Sequence, residues 1–215
     1  MDKRPERLVF VTGTGTEVGK TWVGARLAEV LRKSRRNVAA RKPAQSFALD
    51  EGRPTDAEVL AGATGEDPET VCPRHRWYEV AMAPPMAADA LGRSAIKIGD
   101  LAAEIGFPDG IDVGLVETAG GVRSPLAHDG DTVDLIALLK PDAAVLVADA
   151  GLGTINAVRL SAAALEPRPL VVYLNHWNGE QLHELNRAWL ADRDAFEVVV
   201  TPDELAKQLV SDEHP

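Results

Sequence analysis

The sequence predicts a doubly wound α/β fold, a mostly parallel sheet with helices on both faces. Three observations point there. Short apolar runs alternate with longer helix-like stretches along the chain. Several of those runs (LVFV, AAVLVA, LVVYL) are apolar without interruption, which marks strands covered on both sides rather than on one. No internal repeat or low-complexity stretch breaks the alternation, and strand–helix alternation builds a parallel sheet clothed by its crossover helices.

The elements follow in order. Residues 7–12 open as a β-branched, apolar strand, and residues 19–33 carry apolar positions at helical spacing. That helix ends in Arg32, Lys33, Arg35 and Arg36, cations that complement the negative end of a helix dipole. A second strand covers 37–41. A helix over 55–63 has Thr55 as its candidate cap. Residues 64–112 form the least regular region, rich in Pro and Ala, and are expected to be an insertion carrying substrate contacts. Strands at 113–117, 143–149, 170–175 and 196–200 then alternate with helices at 130–139, 154–165, 179–192 and 202–210. The 215 residues suit one domain, taken as 1–215. In such a sheet ligands bind beyond the carboxyl ends of the strands, so sites are expected just after each strand.

Composition narrows the partners. With 23 basic and 33 acidic side chains the formal charge is −10, a surface that repels a phosphate backbone and argues against nucleic acid. Cys72 is the single cysteine, which forbids an internal disulfide and fits a reducing compartment. No signal-like or membrane-spanning apolar stretch is visible, so a cytoplasmic, membrane-free location is expected.

The strongest chemical signal follows the first strand directly: Gly13-Thr14-Gly15-Thr16-Glu17-Val18-Gly19-Lys20-Thr21, leading into a helix. Glycines let the backbone turn its N–H groups onto phosphate oxygens at a helix start. Lys20 would bridge the outer phosphates and the Thr21 hydroxyl would ligate Mg²⁺. Thr14 stands where the usual spacing places the first glycine.

Weaker signals sit after later strands. Lys42, closing the second strand, is placed to reach a γ-phosphate or is a stray surface lysine. Asp56 is a helix-start acid or a Mg²⁺ ligand. Glu117 ends a buried strand, where a carboxylate needs a partner, and Mg²⁺ held by Thr21, Asp56 and Glu117 would supply one. The turn through Gly153, Thr154 and Ile155 is an anion site or a capped helix start. Asn175 offers the donor–acceptor pair that suits a purine edge. His176 is a candidate base or a loop residue, and Pro202-Asp203 either flanks a base or starts a helix.

Together GTGTEVGKT, KPAQS, TDAEVL, AMAPPMAA, ETAGG, LGTIN and the strand-ending Asn resemble the dethiobiotin synthetase family, in order and over about residues 7–205. The resemblance implies a P-loop NTPase fold and a homodimer with its substrate site at the interface. It also implies a reaction turning 7,8-diaminopelargonate, CO2 (or bicarbonate) and ATP into dethiobiotin, ADP and phosphate, with Mg²⁺ as cofactor. By position, Glu17, Val18, Gly19, Lys20, Thr21 and Trp22 would contact ATP, joined by Asp56, Glu117, Thr118, Ala119, Gly120, Asn175, His176, Pro202 and Asp203. Lys42, Lys20 and Thr16 would serve catalysis, while Ser46, Gly120, Gly153, Thr154 and Ile155 would hold the diamine. Three residues depart from the family pattern: Gly15 where Asp is common, Thr118 where Gly is usual, and Phe47 where Gly follows the KPAQS-type loop. Other readings are a related ligase such as a cobyrinate amide synthetase, a small-molecule kinase, or a regulatory nucleotide switch. The first needs a glutaminase cysteine, for which Cys72 alone leaves no room; partitioning-type switches carry a lysine where Gly15 stands.

Overall fold

The computed structural model describes residues 4–48, 52–165 and 169–210. In chain order its elements are β1 (Arg7–Gly13), α1 (Lys20–Lys33), β2 (Val38–Arg41), β3 (Gln45–Ser46), α2 (Asp56–Thr64), α3 (Pro68–Val71), β4 (Trp77–Tyr78), α4 (Pro84–Ala90), α5 (Ile98–Glu104) and β5 (Val113–Glu117). There follow β6 (Pro125–Ala127), β7 (Gly130–Asp131), α6 (Thr132–Leu139), β8 (Ala143–Asp149), α7 (Thr154–Leu165), β9 (Leu170–Asn175), α8 (Gln181–Asp192), β10 (Glu197–Val199) and α9 (Pro202–Val210).

Six strands form one sheet in the order β10-β9-β8-β1-β5-β2, and every neighbouring pair is parallel. The uninterrupted apolar runs have the expected cause. Alternate residues of each strand enter two separate cores: Leu8, Phe10, Val116, Leu146 and Leu174 pack on one face, while Val9, Val11, Leu115, Val147 and Tyr173 pack on the other. Helices α1, α2 and α9 cover the second face through Leu27, Leu60 and Leu205. Helices α4 to α8 cover the first, with Ala87, Leu101, Ile136, Val158 and Leu190 at its centre.

This period of two decides where the chemistry sits. Val113 and Leu115 face α1 and α2, so Glu117, two residues further along β5, points to the same face. The chain leaves β1 toward β2 and later crosses to β8 on the opposite side. The carboxyl end of β1 is therefore the switch point where doubly wound sheets open a crevice.

The region 64–112 is more regular than expected. It holds α3, a 3-10 turn at Arg74–Arg76, β4, α4 and α5, and its short β4 pairs in parallel with β3. Their shortness and Pro/Ala content hide them from periodicity. Helix α2 starts at a capping box, Thr55 accepting from the Glu58 N–H and Glu58 reaching back, as the cap reading anticipated. Helix α6 begins at Thr132, because Gly130–Asp131 pairs with β6 and Asp131 then caps the helix.

Candidate active site

The turn from β1 into α1 is held from three sides. The Thr14 N–H donates to the Val147 carbonyl of β8 (2.9 Å), and the Val122 N–H donates back to Gly13 (3.2 Å). The Asn175 Nδ2, from the end of β9, donates to the Val18 carbonyl at 2.9 Å. Gly19 caps α1 with φ +89°, and a methyl there would lie 2.0 Å from the Asn175 Nδ2, so both conformation and space demand glycine. Lys20 is buried and its Nζ donates to the Gly15 carbonyl of its own loop, 2.9 Å away. Burial, reinforced by the Lys42 charge, pushes Lys20 down to about 8 against the nearby carboxylates.

Beside this loop four side chains converge, from α1, α2, β5 and the turn that follows β2. The Lys42 Nζ lies 2.6 Å from Asp56 Oδ2 and 2.5 Å from Glu117 Oε1. Thr21 Oγ1 lies 2.8 Å from Asp56 Oδ1 and 2.8 Å from Glu117 Oε1. Lys42 and Glu117 are almost wholly buried. Burial disfavours the charged lysine, but Asp56 and Glu117 outweigh it and hold its pKa above the ordinary value. Burial also works to raise Asp56, yet the Lys42 charge and hydrogen bond keep its carboxyl below the usual range. For Glu117 burial prevails and pushes the carboxyl up.

A divalent cation fits these residues. Glu117 Oε2 is buried with no hydrogen-bond partner, an orphaned acceptor of the kind a cation satisfies. The donor set is all oxygen, a hydroxyl and two carboxylates, as Mg²⁺ prefers. Among the described residues no group of three or more His, Cys, Asp or Glu side chains is placed to hold a metal ion.

The remaining candidates fall into two groups. Around the cleft, Ala119 and Gly120 begin a turn in which Gly120 has φ +69° and Ser124 Oγ accepts the Gly121 N–H at 2.9 Å. Gly121 packs against the Thr14 and Gly15 backbone. Thr16 and Glu17 are exposed at the loop tip, Glu17 with φ 61°. Trp22 is half-exposed beneath Arg26. Farther out, His176 sits at φ 57° with its Nδ1 2.7 Å from Asp149 Oδ2, and that bond leads the lowering of Asp149. Pro202 and Asp203 form the first turn of α9, closed by Thr201 and Glu204. Gly153 has φ +92°, and Thr154 Oγ1 is buried without a partner at the start of α7. Ser46 Oγ donates to the Met82 carbonyl at 2.5 Å.

The departures are also placed. Gly15 borders open space. Thr118 is buried and its hydroxyl donates to Thr12 Oγ1 at 3.1 Å. Phe47 meets the Trp77 ring edge-on with centroids 6.1 Å apart, so it joins a packed pair. Cys72 is buried, and burial pushes its thiol up to about 12, far from a nucleophilic thiolate.

Sequence reading missed Gln45, Ser124 and Thr12 as supports. Gln45 Oε1 accepts the Ala57 N–H at 2.9 Å and so positions the turn that carries Asp56. Only its place inside KPAQS signals it. A cavity of about 610 Å³ in the 64–112 region, lined by Arg74, His75, Trp77, Glu79 and Arg93, shares no residue with the carboxylate pair.

A family model described as an AAA domain matches residues 7–201. An ATP-dependent dethiobiotin synthetase of Haloferax mediterranei is 38% identical over 180 residues, covering 81% of this chain and 74% of its own. That of Anaeromyxobacter dehalogenans is 39% identical over 170 residues, covering 77% and 74%. The chain belongs to the dethiobiotin synthetase family. Among solved structures, a chloroplast FtsY from Physcomitrella patens superposes with TM-score 0.52 at 15% identity, covering 98% of this chain and 67% of that one. A plasmid partition protein from Borrelia burgdorferi gives 0.53 at 10% identity, covering 92% and 90%. At such identities the superpositions show the shared fold alone. The residues matched by the family model, 7–201, include the phosphate loop, Lys42, Glu117 and Asn175. No helix among the described residues is long and apolar enough to cross a membrane.

Proposed function

We propose that this protein is an ATP-dependent cyclo-ligase that closes the ureido ring of dethiobiotin from 7,8-diaminopelargonate, CO2 and ATP. One observation carries the reading: relatives named for that activity share 38–39% of residues over most of both chains. One amine of the substrate captures CO2 as a carbamate. A carbamate oxygen bonds to the γ-phosphorus as ADP leaves, and the second amine then displaces phosphate from the mixed anhydride and closes the ring.

Such chemistry asks the protein for positioning and charge neutralisation rather than a covalent nucleophile. The two lysines serve that end, with Lys20 at the loop and Lys42 at the adjoining strand end. Thr21, Asp56 and Glu117 would hold Mg²⁺, which when bound neutralises phosphate charge. Glu17 to Trp22 and the Thr118–Gly120 turn wrap the phosphates, Thr16 borders the reacting centre, and Asn175, His176, Pro202 and Asp203 border the nucleotide's far end. Ser46 and Gly120 face the diamine. The start of α7 at Gly153, Thr154 and Ile155 takes the substrate carboxylate across a homodimer interface, where the unpartnered Thr154 hydroxyl supports an incoming ligand. The reading implies a single-domain cytoplasmic enzyme.

The test is phosphate release from ATP and bicarbonate, with and without 7,8-diaminopelargonate, alongside mass detection of dethiobiotin. Diamine-dependent release with a dethiobiotin peak is expected. Release that ignores the diamine would indicate a nucleotide switch, and a phosphorylated diamine would indicate a kinase.

A further inference from the structure

The two lysines of the site both hold protein oxygens. Lys20 Nζ is 2.9 Å from the Gly15 carbonyl, and Lys42 Nζ bridges Asp56 and Glu117 at 2.6 and 2.5 Å. We propose that the Lys42 ammonium is a built-in counter-ion that keeps divalent cations off the Asp56–Glu117 pair until a nucleoside triphosphate is present. Metal and nucleotide then enter together. The inference rests on Thr21, Asp56 and Glu117 being the metal ligands.

The argument is one of competing charges. Lys42 occupies Glu117 Oε1, the same oxygen that contacts Thr21, and Asp56 Oδ2. A second cation coordinated by those carboxylates would lie within a few ångströms of the ammonium, in a site where Lys42 and Glu117 each keep only 2% side-chain exposure. Asp56 stays open to solvent at 42%, but on the shielded Glu117 side like charges at that separation repel strongly, so the ammonium must leave. Its backbone cannot follow. The Lys42 N–H is bonded to the Val71 carbonyl at 2.7 Å, and Pro43 comes next. Arg41, just before it, is paired with Glu66 at 2.7 Å and stacked on Phe107. Release is therefore a side-chain rotation. A bare metal ion offers the freed ammonium no new partner, and the adjoining cradle already holds the Lys20 charge. A triphosphate supplies anionic oxygens for both lysines, so it removes the obstacle as it brings the metal.

Mn²⁺ serves as the probe, since its spin resonance signal reports free ion directly. In nucleotide-free protein, Lys42→Met is expected to bind Mn²⁺ at least tenfold more tightly than wild type. With a non-hydrolysable ATP analogue the two should agree within about threefold. Equal Mn²⁺ affinity of the two proteins without nucleotide overturns the counter-ion role. If Asp56→Asn leaves Mn²⁺ affinity unchanged in the presence of the analogue, the metal ligands lie elsewhere and the underlying reading fails instead. Should Lys42→Met not fold, lysine ¹⁵N–¹H ammonium spectra of wild type decide: the Lys42 signal should persist with Mg²⁺ alone and move when the analogue is added with it. A signal that Mg²⁺ alone moves, or that stays in place with both, refutes the exchange.

Discussion

Replacing Lys42 with alanine removes an ammonium that touches both carboxylates of the site, and two effects of different size follow. On turnover, the variant loses a preorganised positive charge beside the phosphoryl group. Removing one such electrostatic donor costs about 2.7–4 kcal/mol, so turnover should fall by at least ~100-fold while ATP still binds. On stability, Glu117 is left buried without its cation, and breaking a buried pair by deleting one partner costs about 3–5 kcal/mol. For a chain of this length each kcal/mol moves Tm by about 2–4 °C, so a fall of roughly 6–20 °C is expected in chelator. The assays are diamine-dependent phosphate release at saturating ATP, nucleotide binding by calorimetry, and thermal unfolding in EDTA. Turnover within threefold of wild type would refute the catalytic placement of Lys42, whatever the melting temperature does.

Three further perturbations test other parts of the site. Gly19→Ala puts a side chain at φ +89° and 2.0 Å from Asn175 Nδ2; the left-handed backbone alone costs about 1–2 kcal/mol, and ATP affinity measured by calorimetry should fall at least ~10-fold. Adding Asn175→Ala should recover part of the lost stability, and strict additivity of the two changes would refute the contact. For Lys20, a folded pKa of about 8 lies below its ordinary 10.5, so between those values the unfolded chain binds more protons and stability of the metal-free protein rises with pH. The full rise is of the order of 3 kcal/mol; denaturant titrations from pH 7.5 to 10.5 should show it in wild type and not in Lys20→Met. Thr118→Val removes the hydroxyl that bonds Thr12, costing about 1 kcal/mol of stability; an unchanged denaturation midpoint would refute that bond's contribution.

The central strands, the helices that pack on them and the phosphate loop were legible in the residues alone. Burial on two faces demands continuous apolar runs such as Leu8–Val11 and Ala143–Ala148, and a glycine-rich turn between strand and helix has few other uses. Such signals are local, carried by neighbours in sequence. The partnership at the site is not local. Thr21 and Asp56 lie 35 positions apart, Thr21 and Glu117 96, and Lys42 and Glu117 75, and taken singly Asp56 reads equally as a helix-start acid, Lys42 as a stray lysine and Glu117 as a buried carboxylate in want of a partner. Only the strand order β8-β1-β5-β2 with α1 and α2 on one face brings them together. Asn175 is a like case: its residue type suggests a base-recognising amide, and only the fold reveals that its Nδ2 also braces the phosphate loop at Val18. Periodicity dictates which face a residue takes. Which residues from distant segments then share that face is settled by the crossovers and the register, and those depend on packing the whole chain at once.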